Sequence, residues 1–473
     1  MKVLLINPSF NFKKFGRFRK FMEPMPSLGL AYIAAVLEKN NISVEVIDDF
    51  VLGLGAQGIL KIIKEKAFDA VGISCLTPSA PVAFSIAAAI KNYNNRILVV
   101  LGNIHATVFA DEILRNEAVD VVVHGEGEHA MLELINAAKE GRDFSKIAGI
   151  SFKQNGAIFK TPPRMMIDNL DELPFPSWHL FPFTKYGFLP FMDVKNPGLS
   201  ILGSRGCPYR CTFCSLPNTG TKYRERTPKN IVDEFEYLIN NFPIKQVSFV
   251  DPIFPLSKSS GLEFCGEMIR RRLNNKIVWT CETRVDKVDR ELLKAMRQAG
   301  CRRILYGLES GVQELLDNVK KDFTLDSARK TIAYTKKEGI QTAGLFMIGL
   351  PGETSQMTRG TINFAKEIDL DFTKFSITVP YPGSALYEDL TKSGKLARHD
   401  WENFVTFNDN PKELVSVSDK ISPEELIYLQ QKGHRDFYMR PKVILNQLFK
   451  VRSLGIKDLF YGLLGLFYRH RNH

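Results

Sequence analysis

Cysteine is scarce in this sequence: the chain has seven in 473 residues, and three of them fall between positions 207 and 214. An odd number of thiols in a chain of this length excludes the small disulfide framework of secreted domains. The first residues contain no charged segment followed by an apolar stretch of the secretory type. We therefore expect a cytoplasmic protein with reduced cysteines.

Long hydrophobic runs and long basic runs are also missing. No window of about 18 uncharged apolar residues occurs, so we expect no transmembrane helix. The net charge of +11 is mild for the length, and no recognition motif accompanies it, so nucleic acid is not an expected partner. With 44% hydrophobic and 24% charged residues, the chain is globular and long enough for two or three domains.

The three clustered cysteines lie in "GCPYRCTFCS", residues 206–215, with C-x3-C-x2-C spacing. A structural zinc site needs four ligands, so zinc would require a distant fourth ligand such as Cys265 or Cys281. An iron–sulfur cluster usually takes four thiolates, so three would leave one iron without a protein ligand. An open metal position favours a reactive site over a structural one.

This spacing, with Cys207, Cys211, Phe213 and Cys214, resembles the signature of the radical S-adenosylmethionine (SAM) superfamily. The resemblance implies a [4Fe-4S] cluster whose open iron is chelated by the amino and carboxylate groups of SAM. It also implies that one electron from the cluster cleaves SAM to a 5′-deoxyadenosyl radical, and that Phe213 lies near the adenine.

The first 140 residues alternate strand-like and helix-like stretches. The apolar runs "KVLLINP", "SVEVID", "AVGISCL", "RILVVLG" and "DVVVHG" are each followed by a helical pattern. Units of this spacing predict a doubly wound parallel sheet, which binds ligands at the carboxyl ends of its strands. Glycines there allow close backbone approach, and the hydroxyls of Ser74 and Thr77 offer hydrogen bonds.

Joined to the cysteine motif, the stretches "PSLGLAYIAAVLE", "VGISCLTPS" and "VVVHGEGE" resemble the cobalamin-binding radical SAM family. The resemblance implies cobalamin contacts from the strand-end loops: Pro8, Ser9, Ser74, Thr77, Gly102, Asn103, His105, Gly125, Glu126 and Gly127. The loop after the first strand, "NPSFNFKKFG", lacks the Asp-x-His-x-x-Gly motif, which implies a base-off cobalamin without histidine below the cobalt. His105 could substitute, but it follows the fourth strand. Asn103 stands where the family usually has a second glycine.

From 198 to 392 the alternation resumes with six strand-like runs: "LSILGSRG", "KQVSFVD", "KIVWTCETRV", "RRILYGLE", "TAGLFMIGL" and "FTKFSITVP". These match the partial (β/α)6 barrel of radical SAM enzymes, and parallel barrels carry reactive residues at strand carboxyl ends. The resemblance implies that SAM is bound by Phe213, Asp251, Glu282, Arg284, Glu309, Ser310 and Gly349. Alternation puts Glu282 and Arg284 on one face, either to bind SAM or as an ion pair within the barrel.

The remaining segments complete a four-part organisation. Residues 147–163 predict a hairpin that turns at Asn155-Gly156, and 168–182 is a proline-rich linker. We therefore predict a cobalamin-binding domain at 1–142, hairpin and linker at 143–197, the barrel at 198–392 and a mostly helical region at 393–473. Residues 434–473 are basic and amphipathic, which favours either contact with the inner membrane face or a helix pair packed on the barrel.

The expected function is C-methylation of an unactivated carbon in a hydrophobic or lipid-like substrate, through a 5′-deoxyadenosyl radical and methylcobalamin. A flavodoxin or ferredoxin is the expected electron donor. Within the family, an oxidative cyclase or rearrangement enzyme is the alternative. Outside it, the alternatives are a cobalamin-responsive sensor and a zinc-stapled interaction protein.

Overall fold

The computed structural model describes residues 1–12, 14–15, 25–186, 197–215, 220–396 and 400–450. For residues 446–450 it describes the backbone and not the side chains. Two sheets organise the described chain. The first has the strand order β2-β1-β3-β4-β5-β6-β7, and the second has the order β15-β14-β13-β12-β11-β8. The predicted α/β class, with a parallel sheet followed by a radical SAM-type sheet, is confirmed.

The first sheet is built from β1 (Lys2–Asn7), β2 (Ser43–Asp48), β3 (Ala70–Ser74), β4 (Leu98–Gly102) and β5 (Val121–Val123), all parallel. Its principal helices are α1 (Leu28–Lys39), α3 (Gly55–Lys66), α4 (Ala80–Tyr93) and α7 (Glu128–Glu140), with the shorter α2 (Asp49–Leu52), α5 (Ile104–Val108) and α6 (Ala110–Arg115). The inner strands β1, β3, β4 and β5 are largely buried on both faces, which is why they are continuous apolar runs, whereas the edge strand β2 is partly exposed and its sequence alternates. The strand order reverses between β1 and β3, the place where such sheets open a ligand crevice.

The predicted hairpin consists of β6 (Ile150–Gln154) and β7 (Ala157–Lys160). It turns at Asn155 and Gly156, whose φ values of 51° and 80° suit a two-residue hairpin turn. β6 pairs antiparallel with β5. The hairpin therefore extends the first sheet, whereas the sequence assigned it to the linker.

The second sheet contains β8 (Gly198–Ile201), β11 (Gln246–Phe249), β12 (Val278–Thr283), β13 (Cys301–Glu309), β14 (Gln341–Ile348) and β15 (Phe372–Ile377), paired in parallel and in sequential order. The helices between them are α8 (Pro228–Asn241), α9 (Lys258–Arg270), α10 (Arg290–Gln298), α11 (Gln313–Asn318), α12 (Leu325–Lys337) and α13 (Ser355–Glu367). A two-stranded ribbon of β9 (Ser204–Arg205) and β10 (Arg224–Glu225) brackets the cysteine loop. The carboxyl ends of the six parallel strands therefore lie at one end of the partial barrel.

The C-terminal part has α14 (Ala385–Lys392), α15 (Pro423–Tyr438) and α16 (Pro441–Lys450). Trp401 and Phe404 from this part belong to the apolar core of the first domain. Gln430 of α15 donates to the carbonyl of Phe375 on β15 at 2.9 Å. The C-terminal region thus packs on both domains. The predicted amphipathic tail lies largely in 451–473, outside the described residues.

Candidate functional site

The cysteine loop begins directly after β9 and is held by backbone hydrogen bonds. Gly206 has φ +84°, and a Cβ there would collide with the carbonyl oxygen of Lys222, so the turn requires glycine. The amide of Cys207 donates to Gly220 O at 3.3 Å and that of Cys214 to Cys211 O at 3.0 Å. These bonds place the three thiols of one short segment at the carboxyl end of the barrel.

The three thiols are free, and their chemistry requires a positive partner. Cys207 is buried, Cys211 partly buried and Cys214 exposed. Although the residue Cys214 is exposed as a whole, desolvation of its thiol by the surrounding loop, followed by the charges of the Cys211 and Cys207 thiols, raises its pKa to about 12. Three thiolates this near one another repel, so a bound cation is needed to deprotonate them together.

This donor set fits a [4Fe-4S] cluster better than a zinc ion. Among the residues that the structure describes, no three His, Cys, Asp or Glu side chains converge on a single metal-ion position. The candidate fourth zinc ligands, Cys265 and Cys281, lie in the apolar core of the barrel. A four-iron cluster is larger than one ion and needs its thiolates further apart, with three protein ligands leaving one iron open.

Two cations lie beside the cysteine loop. Lys321 donates to Glu309 Oε1 at 2.7 Å and lies 6.0 Å from the centre of the Phe213 ring. Arg284 stacks on Tyr209 of the cysteine loop, with 3.6 Å between its Cζ and the ring centre. Burial raises the pKa of Cys211, and the charges of Lys321 and Arg284 oppose that rise. The site is therefore electropositive where thiolates would be held.

Arg284 is engaged on one side and open on the other. Its Nε lies 2.9 Å from Asp286 Oδ1 and its Nη2 donates to the carbonyl of Lys321 at 2.8 Å. Its Nη1 is buried and has no hydrogen-bond partner among the described residues. Arg284 pairs with Asp286 and not with Glu282, so the alternative of an ion pair between Glu282 and Arg284 is wrong. The open Nη1 suits a carboxylate ligand.

Glu282 has a carboxyl group that is partly protonated near pH 7 because of burial. Burial first, and the charge of Glu309 second, raise its pKa to about 7. The side chain makes no hydrogen bond or ion pair with any described residue. Glu282 is therefore a polar group available at the end of β12 for a ligand.

Glu309 and Ser310 are held more tightly than the sequence indicated. Glu309 has φ +59°, at a shift in register between β13 and β14. Ser310 is fully buried, and its Oγ lies 3.2 Å from Thr361 Oγ1 and accepts from the amide of Val312 at 3.1 Å. The Glu309 carboxylate faces Lys321. Glu309 and Ser310 therefore belong to the wall of the site.

Asp251 lies behind the cysteine loop. Its carboxylate accepts from the Gly203 amide at 3.0 Å and from Ser204 Oγ at 2.5 Å, and it is 1% exposed. Burial raises its pKa to about 7. The expectation that it faces SAM is therefore not what the geometry shows: Asp251 fixes the turn that leads into β9.

The loop after β14 is shaped by Gly349, which was predicted from the sequence, and by Glu353, which was not. Gly349 has φ +76°, which favours glycine. Glu353 accepts from the Leu350 amide and from Thr358 Oγ1, both at 2.8 Å, and burial raises its pKa to about 6. Glu353 belongs to the stretch "MIGLPGET" at the end of β14. Its position close to a strand end was the sequence feature from which a site residue could have been predicted.

Hydrogen bonds join neighbouring strand ends of the first sheet. Asn103 donates to Ser74 Oγ at 3.1 Å, and Ser9 donates to Asp49 Oδ2 at 3.0 Å. Asn103 has φ 82° and ψ −179°, a conformation almost restricted to glycine. Its side chain accepts from the Ile104 amide at 2.7 Å, which stabilises this backbone. Pro8, Gly125 and Gly127 lie in loops at the same end of the sheet, and Gly102 is the last residue of β4.

His105 lies in the core. Its ring is 1% exposed and packs against Phe109 at 4.7 Å and Trp401 at 4.8 Å, measured between ring centres. Its Nδ1 lies 3.3 Å from Thr77 Oγ1, and burial lowers its pKa to about 4. The His105 side chain therefore packs among aromatic rings and contacts the Thr77 hydroxyl, and it does not face the ligand crevice as the expected cobalamin contact would.

Glu126 is also engaged within the protein. Its carboxylate lies 3.1 Å from Arg205 and 2.9 Å from Arg224, and it accepts from the amide of Ile167 at 2.8 Å. Both arginines belong to the ribbon that brackets the cysteine loop. Glu126, which was expected to contact cobalamin, thus forms ion pairs between the domains.

Two family profiles match the chain. The one described as "Radical SAM superfamily" matches residues 201–365, and the one described as "B12 binding domain" matches residues 18–135. Within the part of the chain that the structure describes, no helix is long and apolar enough to cross a membrane.

The chain is similar to proteins that are aligned over most of its length. An uncharacterized methyltransferase of Pyrococcus horikoshii is 34% identical, with 94% of each chain covered. The anaerobic magnesium-protoporphyrin IX monomethyl ester cyclase of Rubrivivax gelatinosus is 30% identical over 98% of this chain and 84% of its own. The fold is similar to that of the radical SAM methyltransferase TsrM from Kitasatospora setae, solved with cobalamin and a [4Fe-4S] cluster bound, with a TM-score of 0.67, 22% identity and coverage of 91% and 82%.

Proposed function

The chain belongs to the cobalamin-binding radical SAM family, and we propose that it is a methyltransferase that replaces a hydrogen atom on carbon with a methyl group. The observation that carries this proposal is the union, in one chain, of the open three-thiol loop with a doubly wound sheet of B12-binding type. When bound, the cluster with SAM supplies hydrogen abstraction and cobalamin supplies a methyl group. The similarity to the Pyrococcus methyltransferase along nearly the whole chain supports methyl transfer.

The overall reaction balances with two SAM molecules. A substrate C–H bond breaks and a C–CH3 bond forms, while SAM yields 5′-deoxyadenosine and methionine in one part and S-adenosylhomocysteine in the other. Two electrons are required, and a low-potential donor of the flavodoxin or ferredoxin class would supply them. The protein's part is to hold the substrate between the cofactors and to exclude water.

Cys207, Cys211 and Cys214 would hold the cluster, with Lys321 and Arg284 balancing thiolate charge. Arg284, just after β12, would donate its open Nη1 to the SAM carboxylate, and Glu282, near the end of β12, would accept from the SAM amino group. Phe213 and the loop at Gly349 would lie against the adenine. Each of these roles uses a side chain or a loop with capacity left for a ligand.

The crevice between the loops after β1 and β3 would receive cobalamin. Pro8, Ser9, Ser74, Thr77, Gly102, Asn103, Gly125 and Gly127 would form its walls. None of the residues proposed as walls is a histidine, and His105 is enclosed by aromatic rings. We therefore propose that cobalamin binds without a histidine ligand to cobalt.

An oxidative cyclase is the second candidate, and the similarity to the Rubrivivax cyclase over nearly the whole chain favours it. The two candidates differ in the second SAM product. A methyltransferase converts SAM to S-adenosylhomocysteine in each turnover, whereas a cyclase has no methyl group to renew.

The deciding experiment uses the full chain, loaded anaerobically with cluster and cobalamin, reduced with titanium(III) citrate, and given SAM with a trideuterated methyl group. The proposal predicts S-adenosylhomocysteine and cobalamin carrying the trideuterated methyl, even before the substrate is known. The Cys211→Ala variant keeps the first domain intact and should still bind cobalamin, but it should form no 5′-deoxyadenosine. Wild-type protein that binds cobalamin yet forms no S-adenosylhomocysteine would overturn the methyltransferase proposal and favour the cyclase.

A hydrophobic or lipid-like substrate at the inner membrane face is a further part of the proposal, and it rests on the basic, amphipathic sequence of 434–473. The measurement is co-sedimentation with vesicles of anionic and of neutral phospholipid. We expect binding to the anionic vesicles only, weakened by salt, and lost when residues 451–473 are removed. Equal binding of the shortened chain would contradict this part.

A further inference from the structure

Four buried charges lie between the first domain and the cysteine loop, and we call Glu126, Glu128, Arg205 and Arg224 the four-charge cluster. Their side chains are only 2–7% exposed. Arg205 Nη1 lies 3.1 Å from Glu126 Oε1, and its Nη2 donates to Glu128 Oε1 at 2.5 Å. Arg224 Nη1 lies 2.9 Å from Glu126 Oε1. Two carboxylates and two guanidinium groups thus balance within one buried site.

The members come from separate parts of the chain. Glu126 follows β5, and Glu128 is the first residue of α7. Arg205 ends β9 two residues before Cys207, and Arg224 is its antiparallel partner on β10. The four-charge cluster therefore ties a ligand-facing loop of the first sheet directly to the base of the cysteine loop.

The segment between the hairpin and the proline-rich linker closes the same site. The amide of Ile167 donates to Glu126 Oε2 at 2.8 Å, and its carbonyl accepts from Arg224 Nη1 at 2.6 Å. The ring of Tyr32 on α1 lies 5.2 Å from the Arg205 Cζ. Burying an unpaired charge costs free energy. The carboxylates of the first domain and the arginines of the ribbon therefore each depend on the other for a partner of opposite charge.

We propose that the four-charge cluster is a positioning device that fixes the cysteine loop against the strand-end loop 125–128 and thereby sets the separation of the two cofactor sites. Arg205 is its central member, because its planar guanidinium presents two separate nitrogens to two carboxylates in a fixed geometry, which the single ammonium of a lysine does not. The part of the inference that concerns the cofactor separation rests on the proposed function. The fixing of the loop stands on the described contacts alone.

The test compares full-length Glu128→Gln and Arg205→Lys with wild type by hydrogen exchange of peptides covering 203–215. The matched control is Glu133→Gln, because Glu133 on the same helix pairs with Arg164, just after the hairpin, and not with a residue of the cysteine loop. We expect exchange in 203–215 to accelerate about tenfold or more in Glu128→Gln, less in Arg205→Lys, which keeps the charge, and not in the control. Exchange in the β1–β4 peptides should remain unchanged.

Unchanged exchange in 203–215, or equal acceleration in the control, would overturn the inference. If Glu128→Gln fails to fold, Arg205→Lys alone decides by the same criterion. In protein loaded with both cofactors, the reduced cluster and cob(II)alamin are both paramagnetic. The relaxation enhancement of the cob(II)alamin signal by the reduced cluster should become heterogeneous in Glu128→Gln and in Arg205→Lys, and it should stay as in wild type in Glu133→Gln. A wild type that binds no cobalamin would end the proposed function but leave the exchange result to judge the positioning of the loop.

Discussion

Lys321 is a buried cation whose position beside the cysteine loop has a measurable consequence at the residue scale. It is 7% exposed, and its charge acts on Cys211. A reduced cluster carries one more negative charge than the oxidised cluster, so a nearby buried cation favours reduction. The neighbour Lys320 is exposed and offers a matched control.

We predict that Lys321→Met lowers the reduction potential of the reconstituted cluster by roughly 50 mV, an order-of-magnitude value for one charge at this range. Potentiometric titration followed by electron paramagnetic resonance measures the shift. Lys320→Met should leave the potential close to wild type, because water screens an exposed charge. A double variant, Lys321→Met with Glu309→Gln, removes both members of the pair and should recover part of the shift. An unchanged potential in Lys321→Met would show that Lys321 does not act on the cluster.

Glu282 predicts a pH dependence of stability. Its pKa in the fold is about 7, above the ordinary value near 4.5, so the fold favours the neutral acid. That stabilising contribution is complete below about pH 4.5 and is lost as pH rises through about 7. Relative to wild type, Glu282→Gln should therefore gain roughly 1–2 kcal/mol in unfolding free energy between pH 5.5 and 8.

Urea unfolding at the two pH values measures the difference, followed through the barrel tryptophan Trp279. Subtracting the wild-type curve cancels the contribution of Asp251, whose pKa burial also raises to about 7. Glu263→Gln, at an exposed position on α9, is the control and should show no pH-dependent gain. Equal gains in both variants would mean that the carboxyl group of Glu282 is not desolvated.

Several residue roles could not be predicted from the sequence, for one physical reason. Glu126, Asp251 and Lys321 are engaged by partners that lie at least 12 positions away in sequence and that only the folded chain brings near. A strand-end carboxylate has the same local sequence whether a ligand or an arginine satisfies it. The cysteine spacing was predictable because its chemistry is contained in eight consecutive residues.

At the scale of elements, the strands of both sheets followed from their apolar runs, because parallel strands are buried on both faces. The hairpin turn at 155–156 was predicted for the same kind of local reason. The pairing of the hairpin with β5 was not predicted, because neither strand has a sequence feature that indicates antiparallel pairing at the edge of a parallel sheet. Domain boundaries are therefore less accessible to sequence than elements.

The turn between β9 and the cysteine loop gives a prediction at this scale. In Gly206→Ala, the new Cβ would meet the Lys222 carbonyl and the backbone would have to leave φ +84°. We expect the iron content after reconstitution to fall by more than half while the far-ultraviolet circular dichroism is retained. Gly266→Ala on α9 is the matched control, because no atom lies within 4 Å of its added Cβ. Full iron loading in Gly206→Ala would contradict the requirement for this turn.

On the scale of the whole molecule, the two domains are joined by three kinds of contact. The four-charge cluster links the first domain to the cysteine loop, and the linker places Trp178 in the shared core. From the C-terminal part, Trp401 and Phe404 pack into the first domain, while α15 packs on the barrel. Together these contacts make the two cofactor sites parts of one structure.

The presence of two cofactors in one chain is decided by a count of iron, sulfide and cobalt in anaerobically reconstituted protein, wild type beside the Cys207→Ala, Cys211→Ala and Cys214→Ala variants. We predict about four irons and four sulfides with one corrinoid in wild type. Each variant should lose the cluster and keep the corrinoid, because the two sites lie on different sheets. Zinc without sulfide in wild type, or a cluster retained in all three variants, would contradict a radical SAM enzyme that works with cobalamin.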